Sequence, residues 1–406
     1  MPKNLKNISI VPGKNGLLSD TDQAVLTHYL QNPEIPLFYT EANRILENLV
    51  ACNPEVPELR DKVMNSARRA VDNVPFTAIL NPRFTFVDLF AGIGGFRIAM
   101  QSLGGKCVFS SEWDKEAQKT YLANFGEVPF GDITREETKR FIPDEFDVLC
   151  AGFPCQAFSL AGKKRGFNET RGTLFFDVAE IIRRKRPQAI FLENVKGLKI
   201  HDGGRTLDVI LHTLADLGYY VPDPQIVNAM DFGLPQHRER IYIVGFREER
   251  NARRFNYPGK IAGNPCFSDV KEQDVVSTKY YLSTQYLETL REHRRRHENK
   301  GNGFGYEIIP DDKCANAIVV GGMGRERNLV VDNRITDFRP VTKIKGEVNR
   351  EGIRRMTPRE WARLQGFPEM FKIEVSDASA YKQFGNSVAV PAVTATARKI
   401  IEILDL

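Results

Sequence analysis

The sequence predicts an α/β fold organised around a mostly parallel, doubly wound sheet. From residue 84 onward, short apolar runs alternate with stretches of helical periodicity, the pattern of repeated βαβ units. A tight glycine turn, Ala91-Gly92-Ile93-Gly94-Gly95, joins the first apolar run to the helix after it. Two later runs end in reactive residues: 146–153 leads into Pro154-Cys155-Gln156, and 189–192 into Glu193-Asn194-Val195. Ligands of open α/β sheets bind outside the carboxyl ends of the strands. A thiol and a carboxyl group are therefore expected on one rim of one sheet, a pairing suited to attack on an electron-poor ring.

Residues 1–82 read as a separate, mostly helical extension. Ser19-Asp20 precedes a periodic stretch at 24–30 as an N-cap would, Pro33, Pro36, Pro54 and Pro57 punctuate it, and it carries no recognisable chemistry. The domain at 83–250 holds predicted strands at 84–90, 107–110, 147–151, 189–193, 226–229 and 241–246. Helices are predicted at 96–102, 173–186 and 205–217. Beyond 250 the alternation stops. Residues 251–350 are rich in Arg, Asn and Gly, with poor helical periodicity, and read as a small irregular domain. A helical pattern returns at 358–364 and 390–404, so 351–406 is expected to pack back onto the sheet domain.

Composition sets outer bounds. A chain of 406 residues accommodates two or three domains, and 42% hydrophobic residues suffice for an ordinary core. The formal charge of +5 and a pI near 8.7 permit an anionic partner without demanding one. Six cysteines without a C-x-x-C pair argue against a structural zinc site or a disulfide framework, and suggest a reducing cytoplasm. No signal peptide and no apolar stretch of membrane-spanning length is evident, so neither secretion nor membrane insertion is expected.

The glycine turn lets backbone approach a ligand closely at the end of the first strand, with Gly92 and Gly94 central to it. It fails the dinucleotide fingerprint, because the third glycine position is Arg97, so a nucleoside is favoured over a pyrophosphate. Glu112 and Trp113 follow the second strand. That carboxylate suits both hydroxyls of a ribose, the indole face suits adenine, and Asp132 suits the adenine amino group. Taken singly, each acidic residue is an ordinary loop charge; the ordered set past successive strands is what points to a ligand. Cys155 alone reads as a buried thiol, but its polar surroundings suggest an exposed loop, and Lys163, Lys164 and Arg165 beside it suit either solvent or a phosphate backbone. In Gln236-His237-Arg238-Glu239-Arg240 an extended backbone points Arg238 and Arg240 the same way, into one cleft. Arginine suits oxygen acceptors on bases or phosphates.

Together these pieces resemble the bacterial DNA cytosine-C5 methyltransferases. The matching stretches are Asp88 through Gly95, Glu112-Trp113-Asp114, Gly152-Phe153-Pro154-Cys155-Gln156, Gly172-Thr173-Leu174-Phe175-Phe176, Glu193-Asn194-Val195, the Gln236–Arg240 segment, Leu364-Gln365-Gly366-Phe367-Pro368 and Gly385-Asn386-Ser387-Val388. They occur in the family's order from about residue 84 to the end, and the Pro-Cys, Glu-Asn-Val and Gln-x-Arg-x-Arg trio is highly specific. The first 82 residues lie outside the resemblance. Residues 250–350 fall in the family's variable target-recognition region, where Ala315-Asn316-Ala317-Ile318 lacks the usual threonine.

The resemblance implies a Rossmann-like S-adenosylmethionine-dependent methyltransferase sheet, with S-adenosylhomocysteine as product. It implies a Cys155 thiolate that attacks C6 of a flipped-out cytosine, Glu193 at N3 and the exocyclic amine, Arg240 at O2, and Arg238 in support. Cofactor contacts are implied for Phe90, Gly92, Gly94, Glu112, Trp113, Asp132, Pro154, Leu174 and Asn386. Double-stranded DNA is the implied partner, with Gln156, Lys163 and Arg165 on a closing loop hinged at Gly162 and Gly166. Arg325 or Arg327, in a glycine-rich loop, is expected to read a guanine. Arg291, Arg294, Arg295 and Arg296 form a second basic run that equally suits a solvated helix face. A monomer acting in the cytoplasm on nucleoid DNA is expected, with a separately acting restriction endonuclease as a possible companion. Alternatives are a tRNA methyltransferase with the same trio, a catalytically silent DNA-binding relative, a zinc deaminase and a nicotinamide dehydrogenase. The deaminase lacks its P-C-x-x-C pattern here, and Arg97 disfavours the dehydrogenase.

Overall fold

The computed structural model describes residues 8–14, 16–154, 174–301, 305–321, 324–339 and 346–406. Cys155, Gln156, Lys163 and Arg165 lie outside the described residues.

The chain opens with three helices, α1 (Asp20–Gln31), α2 (Pro36–Cys52) and α3 (Leu59–Asp72). Ser19 caps α1 as its sequence suggests: its hydroxyl accepts from the Asp22 amide at 3.1 Å, and the Asp22 carboxylate accepts from the Ser19 amide at 3.0 Å. The helices do not form the separate unit expected from sequence. Leu18, Ala24, Leu26, Phe38 and Val63 share one apolar cluster with Val87, Leu89, Val108, Phe109 and Phe130 of the sheet domain. The extension is a cover over one face of the sheet. Its inward surface escaped notice because α1 buries Gln23, Thr27, His28 and Gln31 beside its apolar residues.

The sheet strands are β1 (Phe84–Leu89), β2 (Gly105–Ser111), β3 (Val148–Gly152), β4 (Ala189–Val195), β5 (Gln225–Asn228) and, after the short β6 (Gln236–His237), β7 (Glu239–Phe246). Among the described residues they form a six-stranded sheet of order β2-β1-β3-β4-β7-β5. β1 to β4 run parallel, while β7 is antiparallel to both β4 and β5. The parallel strands therefore share one carboxyl edge, and β7 brings its amino end to that same edge. Alternate residues face opposite layers, as the pleat requires. Phe86, Cys107, Cys150 and Phe191 pack under α4 (Gly95–Ser102), α5 (Lys115–Phe125) and the C-terminal helices. Val87, Leu149, Ile190 and Leu192 pack under the N-terminal helices, α7 (Leu174–Lys185) and α8 (Arg205–Asp216). Two short helices, α6 (Glu136–Lys139) and α9 (Glu249–Arg254), lie in the connections.

The irregular region carries α10 (Thr284–Glu298), β8 (Ala315–Asn316) and β9 (Leu329–Val331), with a small core of Leu282, Leu287, Leu290, Leu329 and Ile353. β9 pairs antiparallel with β10 (Ile353–Arg355), so the region extends past the boundary at 350 read from composition. Arg354 ties it onward: its buried guanidinium grips both oxygens of Glu360 at 2.8 Å and Asp332 at 3.1 Å. α11 (Pro358–Leu364), α12 (Asp377–Asn386) and α13 (Val390–Leu404) complete the chain, and α13 packs against α4.

Candidate active site

Two groups of the expected residues gather along the shared carboxyl edge. At its centre, Glu193 on β4 meets Arg240 on β7. The register places Arg240 opposite Val195, so Glu193 is its diagonal neighbour on the same face, and Arg240 Nε stands 3.2 Å from Glu193 Oε1. Burial raises the pKa of Glu193, opposed by the charges of Arg240 and then Arg238. Glu193 Oε2 also lies 3.7 Å from where a Cβ on Gly152 would stand, which puts it beside the last residue of β3. Asn194 fixes the next step of that strand: its side-chain amide donates to the Phe153 carbonyl at 2.8 Å, and its oxygen accepts from the Val195 amide at 2.8 Å. Pro154 follows, exposed, one residue before Cys155.

Arg238 does not share the cleft with Arg240 as its spacing suggested. It is 2% exposed and its guanidinium donates to the carbonyls of Ile318 at 3.0 Å, Gly385 at 3.2 Å and Ser387 at 2.5 Å. Its side chain turns inward, where three carbonyls solvate the charge. Burial and the neighbouring Arg240 depress its pKa, and Glu193 opposes them. Arg238 is thus a brace between the sheet, the recognition region and α12. Gln236 adds a second brace, donating to the Leu364 carbonyl at 2.8 Å and accepting from the Ile318 amide at 3.0 Å. Beside them β6 pairs with β8, so Ala315 and Asn316 are bonded to the very segment that carries both arginines.

The second group sits over β1 and β2. Phe90 adopts a positive φ of 54° and opens the glycine turn. Gly92 donates its amide to Glu112 Oε2 at 2.9 Å, and the Asp114 amide donates to Oε1 at 2.7 Å. Glu112 is 9% exposed, and burial raises its pKa against the pull of those amides. Trp113 beside it is 74% exposed, leaving its indole face open. The glycines of the turn serve different ends. A Cβ on Gly94 would strike Phe125 at 2.2 Å, and one on Gly95 would meet Val388 at 2.7 Å and Ser387 at 3.0 Å. Gly94 is required by packing and by its positive φ of 84°, whereas among the described residues only the Phe90 carbonyl, at 4.0 Å, comes near a Cβ placed on Gly92. Gly95 lets the Gly385–Val388 stretch close on the turn, which brings exposed Asn386 to this end of the sheet.

Asp132 follows Phe130, whose carbonyl accepts from the Glu112 amide at 2.8 Å. Its Oδ1 is engaged by the Thr134 amide and hydroxyl at 3.0 and 2.8 Å, leaving Oδ2, 3.8 Å from Arg135, as the available acceptor. Leu174 opens α7. Arg325 and Arg327 are exposed on either side of buried Glu326, with Arg325 over the Tyr381 ring at 5.5 Å. Half of the basic run on α10 is spoken for, since Arg291 pairs with Glu288 and Glu351 and Arg294 with Glu298.

Sequence reasoning passed over Asp88. It is fully buried at the end of β1, neither oxygen has a well-formed hydrogen bond among the described residues, and burial raises its pKa to about 8, with the Arg97 charge the main opposing influence. An aspartate set between the apolar Val87 and Leu89 of a predicted strand is the signal that could have found it.

Comparison with known proteins identifies the family. Residues 84–402 match the model of the C-5 cytosine-specific DNA methylase family. The chain is 72% identical over 326 residues to the Type II methyltransferase M.HpaII of Haemophilus parainfluenzae, covering 80% of this chain and 91% of that one. It is 40% identical over 309 residues to the Type II methyltransferase M.HhaI of Haemophilus parahaemolyticus, covering 75% and 90%. Among solved structures, the fold resembles an Entamoeba histolytica methyltransferase, EhMeth, at 18% identity and a TM-score of 0.60, covering 79% of this chain and 98% of that one. It also resembles the S. pombe Dnmt2 methyltransferase at 18% identity and a TM-score of 0.59, covering 80% and 100%. The chain belongs to the C-5 cytosine-specific DNA methylases and is a restriction–modification-type enzyme that methylates cytosine C5 in DNA with S-adenosylmethionine.

Proposed function

We propose that Cys155, Glu193 and Arg240 form the base-handling centre and that Glu112, Trp113 and Asp132 hold the cofactor. The observation that carries the first half is the Glu193–Arg240 pair at the rim beside Gly152, three residues before Cys155 and so within about 10 Å of chain. C5 of cytosine is a poor nucleophile. Addition of the Cys155 thiolate to C6 breaks the ring's aromaticity and gives C5 enamine character. Glu193, its pKa raised by burial, shares a proton with N3 and accepts from the exocyclic amine, while Arg240 holds O2. Arg238 positions this pair through its three carbonyl contacts. The cofactor supplies an electrophilic methyl group. After C5 has taken that group, a base removes the C5 proton and the Cys155 thiolate departs.

The residues over β1 and β2 fit S-adenosylmethionine by their donor set. A buried carboxylate faces ribose hydroxyls, an open indole face takes adenine, Asp132 Oδ2 takes the adenine amino group, and uncrowded Gly92 admits close backbone approach. Phe90, Pro154, Leu174 and Asn386 complete the surround. The target base leaves the duplex stack at a cost of a few kcal/mol, with Gln156, Lys163 and Arg165 closing over it and Arg325 or Arg327 contacting a guanine. The enzyme acts as a monomer on nucleoid DNA in the cytoplasm, alongside a separate endonuclease of the same target.

Covalent trapping tests the centre. A duplex carrying 5-fluorocytosine in the target, incubated with enzyme and S-adenosylmethionine, is expected to form a denaturation-resistant adduct that Cys155→Ala does not form. Base-resolution mapping of a methylated library supplies the target motif and profiles Arg325→Ala and Arg327→Ala. An adduct formed equally by Cys155→Ala would overturn the assignment.

A further inference from the structure

α1 lies outside the family span of 84–402, yet it turns polar side chains into the sheet domain. Thr27 Oγ1 accepts from the Val128 amide at 3.0 Å. Gln31 acts in both directions: its Nε2 donates to the Phe125 carbonyl at 2.6 Å, and its Oε1 accepts from Arg97 Nη2 at 2.7 Å. His28 meets the Ala24 carbonyl through Nδ1 at 2.9 Å, and its Nε2 lies 3.3 Å from both the Ser110 amide and Glu127 Oε1. Burial lowers the pKa of His28, and the Glu127 carboxylate opposes it. Behind them Glu127 Oε1 collects Arg97 Nη1 at 2.7 Å and the Ser110 hydroxyl at 2.6 Å. None of Thr27, His28 and Gln31 is more than 6% exposed.

These contacts reach three places, each next to a proposed cofactor contact. Arg97 lies on α4, the helix that leaves the glycine turn. Ser110 is two residues before Glu112. Phe125 and Val128 lead to Phe130 and then Asp132. β2 is an outer strand of the sheet among the described residues, and the 125–130 segment joins its flank through the Ser111–Phe130 bridge, where the Glu112 amide meets the Phe130 carbonyl and the Phe130 amide meets the Ser110 carbonyl. α1 supplies the partners of the Ser110 and Val128 amides and of the Phe125 carbonyl. A ligand site is only as well placed as the groups that support its contacts.

We infer that α1 positions the methyl-donor pocket: Thr27, His28 and Gln31 hold the glycine turn, the Glu112 loop and the Asp132 loop in register with one another. They are positioning residues that touch no substrate, and the inference rests on the cofactor reading above. The test uses the full chain and titration calorimetry with S-adenosylmethionine, alongside KM for duplex DNA and the thermal midpoint. Thr27→Val keeps the shape and removes the acceptor; Thr27→Ser restores it; Gln31→Leu removes the second contact. Thr27→Val and Gln31→Leu are expected to weaken cofactor binding about fivefold or more, leave KM for DNA unchanged, and recover in Thr27→Ser. Should Gln31→Leu not fold, the Thr27 pair decides. Lower thermal midpoints with unchanged cofactor affinity would reduce α1 to packing and overturn the inference. Glu112→Ala separates the two readings. If it weakens cofactor binding while the α1 variants do not, only the present inference fails; if it too has no effect, the pocket lies elsewhere and both fall.

Discussion

The two halves of the sheet's carboxyl edge hold their carboxylates by different means. Over β1 and β2, Glu112 is fixed by the amides of Gly92 and Asp114, groups that carry no charge to lose and cannot swing away. Over β4 and β7, Glu193 faces the guanidinium of Arg240, and Arg238 behind it is held by carbonyls from Ile318, Gly385 and Ser387. Burial raises the pKa of both carboxyls, but backbone dipoles oppose it at Glu112 and side-chain charges at Glu193. A group that only holds a ribose needs permanence. One that shares a proton with a base profits from partners that respond when the base arrives.

Glu193→Gln cuts most sharply at this contrast. It keeps the shape and removes the exchangeable proton, so kcat is expected to fall by about 10²–10⁴-fold with cofactor affinity unchanged. Single-turnover methylation and calorimetry on one sample check both halves, and a cofactor defect in this variant would erase the distinction. Arg238→Met comes next. It leaves three buried carbonyls without their donor, and a loss of about 3–5 kcal/mol in unfolding free energy is expected, read by urea denaturation. Loss of activity without loss of stability would instead place Arg238 in contact with the base. Glu112→Gln should weaken S-adenosylmethionine about tenfold or more while leaving KM for DNA alone; a shift in KM for DNA would couple the halves.

The smallest effect concerns Asp88. Its folded pKa of about 8 lies above the ordinary value of 3.8, so the unfolded chain ionises first. The stability it lends is complete below the unfolded value and drains away as pH rises toward 8, after which the curve is flat. Asp88→Asn has no such dependence. Its unfolding free energy relative to the parent is expected to rise by about 2 kcal/mol between pH 6 and pH 8; a difference constant with pH would show that Asp88 is charged in the fold.

The same contrast explains what could be read in advance. Strand β4 and the helices Pro358–Leu364 and Val390–Leu404 follow directly from apolar runs, capping residues and prolines, and the motifs at the strand ends name Glu112, Glu193 and Arg240. What stayed hidden depends on distant partners. Arg238 and Arg240 are indistinguishable by spacing, and only the carbonyls brought in from Ile318, Gly385 and Ser387 separate them. The inward face of α1 is polar, so hydrophobic patterning gave no hint that it belongs to the core. Asp88 is hidden for the opposite reason: an aspartate near a loop normally signals exposure.

The close seating of Val388 on Gly95 carries a consequence for biosynthesis. A nascent chain leaves the ribosome amino end first, so the glycine turn emerges long before the segment that closes over it. A chain paused within the recognition region has the glycine turn and Arg238 outside the exit tunnel, yet lacks Val388, which seats on the turn, and the Gly385 and Ser387 carbonyls that help anchor Arg238. The turn and Arg238 therefore gain this packing only once the 385–388 segment has been made.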